Sequence, residues 1–101
     1  MKRGDLSREQ IITAGLKMAG AHGLDAVTGR RVANALNRAH TGVRYYFEAP
    51  NSLRQAVISA AIERDDVMVI ARLILDQHDA VAHLSREDRT RYLSLADLDR
   101  A

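Results

Sequence analysis

Residues 28–47 read TGRRVANALNRAHTGVRYYF, and the way this stretch folds decides how the rest of the chain is read. Thr28 can open a helix, because its side-chain oxygen can accept from a free amide of the first turn. Val32, Ala33 and Leu36 then share one face at helical spacing, while Arg30, Arg31 and Asn34 face away. Asn37 follows directly, and asparagine is the non-glycine residue best able to take the positive φ of a sharp helix-to-helix turn. From about Ala39 to about Phe47 a further short helix puts Ala39, Val43, Tyr46 and Phe47 on an inner face, with His40, Thr41, Arg44 and Tyr45 opposite. Two short helices joined by a tight turn, the second apolar inside and polar and cationic outside, describe a helix-turn-helix.

Upstream, Ser7 and Gln10 have the spacing of a capping box, so a first helix should start there. Ile11, Ile12, Leu16, Met18 and Ala19 supply its apolar stripe. It should end near His22, with Gly23 at its C-terminal left-handed position. Downstream, Pro50 suits the first position of a fourth helix, where its missing N–H costs nothing. From there to Leu84 neither glycine nor proline intervenes. A single helix of that span would be roughly 51 Å long, too long for a small domain, so a break is expected near residues 63–66. A fifth helix is expected to carry Val67, Ile70, Leu73, Ile74, Gln77, Val81 and Leu84. A last one starts after Ser85 and carries Tyr92, Leu95, Ala96 and Leu98. No segment alternates as a strand would, and the expected fold is all-α.

At 101 residues the chain is one domain's worth, 47% apolar and 28% charged, a globular balance. It has no cysteine, which removes disulfides, thiolate metal sites and thiol catalysis. No stretch reaches the roughly 18 apolar residues of a membrane span, and the charged N-terminus does not read as an export signal, so a cytoplasmic protein is expected. The net charge of +2 conceals an asymmetry. Residues 1–54 carry nine Lys and Arg against four acids, whereas residues 55–101 carry six Arg against nine acids. A basic half joined to an acidic one is the electrostatic outline of a nucleic-acid reader. The expected division is a helix-turn-helix region over 1–54 and a helical dimerisation region over 55–101, within one compact domain.

A major groove about 12 Å wide admits one helix, whose outer face must then bond base edges. His40, Thr41, Arg44 and Tyr45 can do so, and Arg44 is the sharpest candidate because its planar fork matches the N7 and O6 acceptors of guanine. Adjacent tyrosines on a helix point about 100° apart, so of Tyr45 and Tyr46 one should pack inward and one be free to donate to phosphate. Arg30 is expected to contact DNA, and Arg54 to lie on the phosphate backbone.

From about residue 11 to residue 53 the chain resembles the DNA-binding domain of the tetracycline-repressor (TetR-type) transcriptional regulators. The residues carrying the resemblance are Ala14 in an Ile-rich first helix, Gly23, Thr28, Val32 and Ala33, then Val43, Phe47 and Leu53 around the recognition helix. The resemblance implies that Thr28 and the second-helix amides hold phosphate. It implies too that Thr41, Arg44 and Tyr45 contact bases or phosphates, that Tyr46 contacts the DNA backbone, and that Lys2 and Arg3 form a basic arm near the minor groove. The chain departs from the family at Arg44, where tyrosine is usual, at Asn37 for glycine, at Arg38 for an apolar residue, and at Pro50 for a lysine. Arg38 and Arg44 are expected to give it a base preference of its own. Family members continue into a long helical domain with an inducer pocket and dimer interface, but about 48 residues follow Leu53 here.

Those residues can form a dimer interface but hardly also enclose a cavity of about 300 Å³. The expectation is therefore a homodimeric repressor of a palindromic operator, with no small-molecule inducer and no cofactor, joined through Ile70, Leu73, Ile74, Val81, Leu84, Tyr92 and Leu95. Asp76, His78, Asp79 and His83 suggest a metal site on one helix face, yet such a set more often is a solvated face. No phosphate loop, nucleophile elbow or paired carboxylates point to an enzyme. The competing expectation is a helical interaction module whose apolar stripe over residues 67–84 docks a partner protein.

Overall fold

The chain's helix signals are mostly local and act as written. The computed structural model describes residues 6–100 and is all-helical, with no strand among them. Helix α1 (Arg8–His22) starts at Ser7, whose hydroxyl accepts from the Gln10 amide while the Gln10 side chain accepts from the Ser7 amide. After Gly23 (φ 96°) and a 3₁₀ turn (Leu24–Ala26), Thr28 caps α2 (Gly29–Ala35) by accepting from the Arg31 amide at 3.1 Å. Asn37 takes φ 58° and turns the chain into α3 (His40–Tyr46). Pro50 opens α4 (Pro50–Glu63), which ends in the expected break, where Asp65 takes φ 55° and Asp66 caps α5 (Val67–Leu75). A 3₁₀ turn (Asp79–Val81) leads to α6 (Arg86–Arg100), begun by Ser85, whose hydroxyl accepts from the Asp88 amide.

One expectation fails here. Helix α5 does not reach Leu84 but stops at Leu75, because Gln77 adopts φ 56°. The His78 amide donates back to the Leu73 carbonyl at 2.9 Å and the Gln77 amide to that of Ile74, a Schellman closure made without glycine. Asn37 and Asp65 close α2 and α4 in the same way. An L-residue with a larger side chain pays steric energy in that left-handed conformation. Gln77→Gly is therefore expected to raise unfolding free energy by about 0.5–1 kcal/mol in urea denaturation; a loss of stability would mean the side chain makes an offsetting contact.

Helix α1 is the centre on which α2, α4 and α5 pack, and α6 lies on α5. At Gly15 a Cβ would come within 2.6 Å of Val57 Cγ2, so only glycine lets α1 and α4 approach this closely. One continuous core runs from Ile11, Val27, Val32 and Val43 through Leu53 and Val57 to Val69, Leu73 and Tyr92. It crosses the expected boundary at 54/55, which falls inside the unbroken α4. Two polar ties brace the corners. Arg64 forks onto the Glu9 carboxylate at 2.7 and 2.8 Å, which lowers the Glu9 pKa and raises that of Arg64. The Tyr92 hydroxyl donates to Asp65 Oδ1, and this bond together with burial raises the phenol above its usual value.

The core also consumes the stripe read as a surface. Val69, Ile70, Leu73, Val81 and Tyr92 are buried within the single chain, and Ile74 and Leu84 are half-buried against the same core. The expected dimer contacts at Ile70, Leu73, Val81 and Tyr92 are thereby corrected: these side chains are covered by packing within the chain, α5 lying against α1, α4 and α6, and little of the stripe over 67–84 is left open to a partner. Leu95 (38% exposed) and Leu98 (70%) on α6 remain open, together with Ile62 and Leu75. No helix of the described chain is long and apolar enough to cross a membrane.

Candidate nucleic-acid interface

Helix α3 has seven residues, no side-chain cap and no acidic residue in its first turn. A helix this short is not stable in isolation and is held by what it packs against. Val43 and Phe47 enter the core beside Val32 and Ala33 of α2, and the Arg8 guanidinium lies over the Phe47 ring at 5.2 Å. The remaining expected inner residues, Ala39 and Tyr46, are exposed. Because Val43 points inward, Thr41, Arg44 and Tyr45 point outward on the opposite face, all exposed, with Tyr45 81% exposed. Their i, i+3, i+4 spacing clusters them on one patch.

The stretch that carries α2 and α3 is basic. Residues 28–47 contain four arginines and no acid, and Arg30, Arg31 and Arg44 are exposed. Arg38 is half-buried in the turn after Asn37. His40 is half-buried as well, for a reason the sequence did not show: its imidazole sits on Gly29, where a Cβ would meet Nε2 at 2.7 Å. His40 thus spaces α2 from α3 and is not a free group on the outer face. Lys2 and Arg3 lie outside the described residues.

Two expected DNA ligands are engaged inside the molecule. Arg54 Nε donates to the Val27 carbonyl at 3.0 Å and Nη2 to the Asp25 carbonyl at 3.3 Å. This half-buried guanidinium pins the linker between α1 and α2, so its assignment to phosphate is corrected. Arg54→Ala is expected to cost about 1.5–3 kcal/mol in denaturant unfolding, the range for hydrogen bonds from a charged donor. Its effect on DNA binding should not alter the salt dependence. The Tyr46 hydroxyl likewise donates to the Leu6 carbonyl at 2.8 Å, and its ring meets Tyr45 edge-on, centroids 5.0 Å apart. Thr28 keeps its role as a cap. Sequence reading missed Arg8 altogether, since a contact spanning the distance from residue 8 to residue 47 leaves no local periodicity.

Asp76, His78, Asp79 and His83 do not share a helix face, because α5 ends before them; His78 Nδ1 accepts from the Ala80 amide at 3.0 Å. Among the described residues no group of three or more His, Cys, Asp or Glu is arranged to hold a metal ion. The cleft between α4, α5 and α6, lined by Ile62, Ile70, Val81, His83, Leu84 and Tyr92, measures about 110 Å³. A larger open groove of about 500 Å³ runs along α1 to the end of α2, past Ala14, Lys17, Met18, Ala35 and Leu36. No protein-family model matches the chain, and neither a curated protein nor a solved structure matches it.

Proposed function

We propose that the chain is a sequence-specific DNA-binding transcriptional regulator, a homodimeric repressor that lays α3 of each protomer in successive major grooves of a palindromic operator. The observation carrying this reading is the second helix of a helix-turn-helix, anchored by Val43 and Phe47, that turns Thr41, Arg44 and Tyr45 outward from a stretch with no acid. An arginine-bearing helix on a basic face suits both parts of DNA recognition, phosphate attraction and base-edge readout. The similarity of residues 11–53 to tetracycline-repressor-type DNA-binding domains supports the same reading. Dimerisation through Leu95 and Leu98 would bury the apolar side chains that α6 leaves open.

The test is selection of bound sites from a random DNA library at physiological salt, followed by affinity of the winning site across a salt series. An enriched palindrome whose affinity falls steeply with salt is expected. No enrichment together with a flat salt response would overturn the proposal, and a monomer by sedimentation at micromolar concentration would overturn its dimeric part.

A further inference from the structure

We infer that His40 is a positioning residue: its ring, seated on Gly29, sets how far α3 stands from α2 and so which base edges Thr41, Arg44 and Tyr45 reach. The inference rests on the DNA-binding reading above and gives one residue of that site its part in sequence preference.

The contact is a matched pair of sizes. A Cβ on Gly29 would stand 2.7 Å from His40 Nε2 and 3.2 Å from Cδ2, where ordinary contact begins at 3.4 Å, so the edge of the imidazole fills the space a side chain at 29 would take. The φ of Gly29 is not positive, so the backbone there does not call for glycine; the ring of His40 does. Val43 Cγ1 lies 3.6 Å from the same point. His40 and Val43 are i, i+3 on α3, so the helix rests on the first residue of α2 through two neighbouring side chains, one half-buried and one fully buried. At the other end of α2, in the turn at Asn37, the Arg38 amide donates to the Ala33 carbonyl at 2.8 Å. Seven helical residues span only roughly 10 Å, so the turn and the His40–Gly29 contact hold α3 at both ends of α2.

What this contact holds apart are the charged start of α2 and the outer patch of α3. Gly29 is followed by the exposed Arg30 and Arg31, and His40 is followed by Thr41 and stands one turn before Arg44. Contacts to phosphate set the register of a protein on DNA, and contacts to base edges read it. The donor–acceptor distance of a hydrogen bond to a base edge varies by only about 0.5 Å. Moving α3 off α2 by that much leaves every charge in place and takes the reading face out of reach of the bases it matched.

Wild type, Gly29→Ala, His40→Ala and the double variant of the full chain are compared, first by urea denaturation without DNA and then by library selection. Gly29→Ala is expected to lower the urea midpoint when His40 is present. In the His40→Ala background the same substitution should raise it, since alanine is the better helix former and restricts the unfolded chain. On the site selected by wild type, Gly29→Ala should weaken binding about tenfold and leave the salt slope unchanged, because no charge is removed. Its own library selection should return an altered consensus, and the double variant should recover most of the lost affinity. A midpoint raised by Gly29→Ala in both backgrounds would show that the ring simply swings aside, and would overturn the inference. So would a sign reversal in urea with an unchanged consensus, which would leave the contact a matter of stability alone. Loss of the consensus at one base pair in His40→Ala, with none in Gly29→Ala, would make His40 a direct base ligand and overturn it too. The urea cycle needs no DNA, so failure of this contact is distinct from failure of the DNA-binding reading, which is a wild type with no enriched site.

Discussion

Phe47→Ala is expected to remove about 3–5 kcal/mol of unfolding free energy, the range for deleting a buried aromatic ring, and to release α3 first. The ring is 7% exposed and closes α3 against the α1–α2–α4 core, with Arg8 stacked over it at 5.2 Å. Within α3 Val43 is the fully buried residue, and seven residues cannot hold a helix through their own hydrogen bonds. A domain of this size has on the order of 5–15 kcal/mol in total, so the variant should be partly unfolded at 37 °C. Urea denaturation followed by far-ultraviolet circular dichroism measures the loss, and amide exchange locates it. Phe47→Leu, which keeps most of the apolar volume, should lose less than half as much. Unchanged protection across residues 40–47 in the alanine variant would show that α3 is held by something other than its two core anchors.

The contrast between Phe47 and Tyr46 shows where sequence reading succeeds and where it stops. Val43 and Phe47 could be placed inside from spacing alone, since helical period assigns a side chain to a face. Tyr46 shares that computed face, but a seven-residue helix buries only a narrow stripe, and the phenol turns out to the edge to reach Leu6. The caps at Ser7 and Thr28, the turn at Asn37, Pro50 and the break at residues 63–66 were all legible because each is a contest among neighbouring backbone groups. The end of α5 was not. Gln77 carries no turn signal, and what stops the helix is a left-handed residue closing onto the Leu73 and Ile74 carbonyls.

Amphipathicity has a second blind spot, visible in the C-terminal half. The stripe through Ile70, Leu73 and Val81 is real, yet periodicity says only that a face is apolar, not what covers it. With α1, α4 and α6 of the same chain packed on α5, little of it is left for a partner. Arg54 and Arg44 make the same point for charge. Both are arginines of the basic half, but Arg54 faces two linker carbonyls and is half-buried, whereas Arg44 is exposed on α3. Which cations stay available to an outside partner is therefore decided by tertiary hydrogen bonding that leaves no trace in net charge.

Arg44→Ala is accordingly the substitution expected to change base preference most. The side chain stands on the outer patch of α3 between Thr41 and Tyr45, where a groove-bound helix presents its reading face. A guanidinium forked onto guanine O6 and N7 is worth about 1–3 kcal/mol of discrimination, and a symmetric dimer uses it twice. Across a full palindrome that amounts to about 2–6 kcal/mol, or about 30-fold to about 10⁴-fold in relative affinity. Repeating the library selection with Arg44→Ala should therefore lose the consensus at one base pair per half-site and keep it elsewhere. Arg44→Lys separates charge from geometry. It retains a cation but not the planar fork, so the salt slope should stay close to wild type while discrimination at that base pair falls. If instead Arg44→Ala weakened every sequence equally and lowered the slope, Arg44 would be a phosphate contact, and base reading would fall to Thr41 and Tyr45 on the same patch.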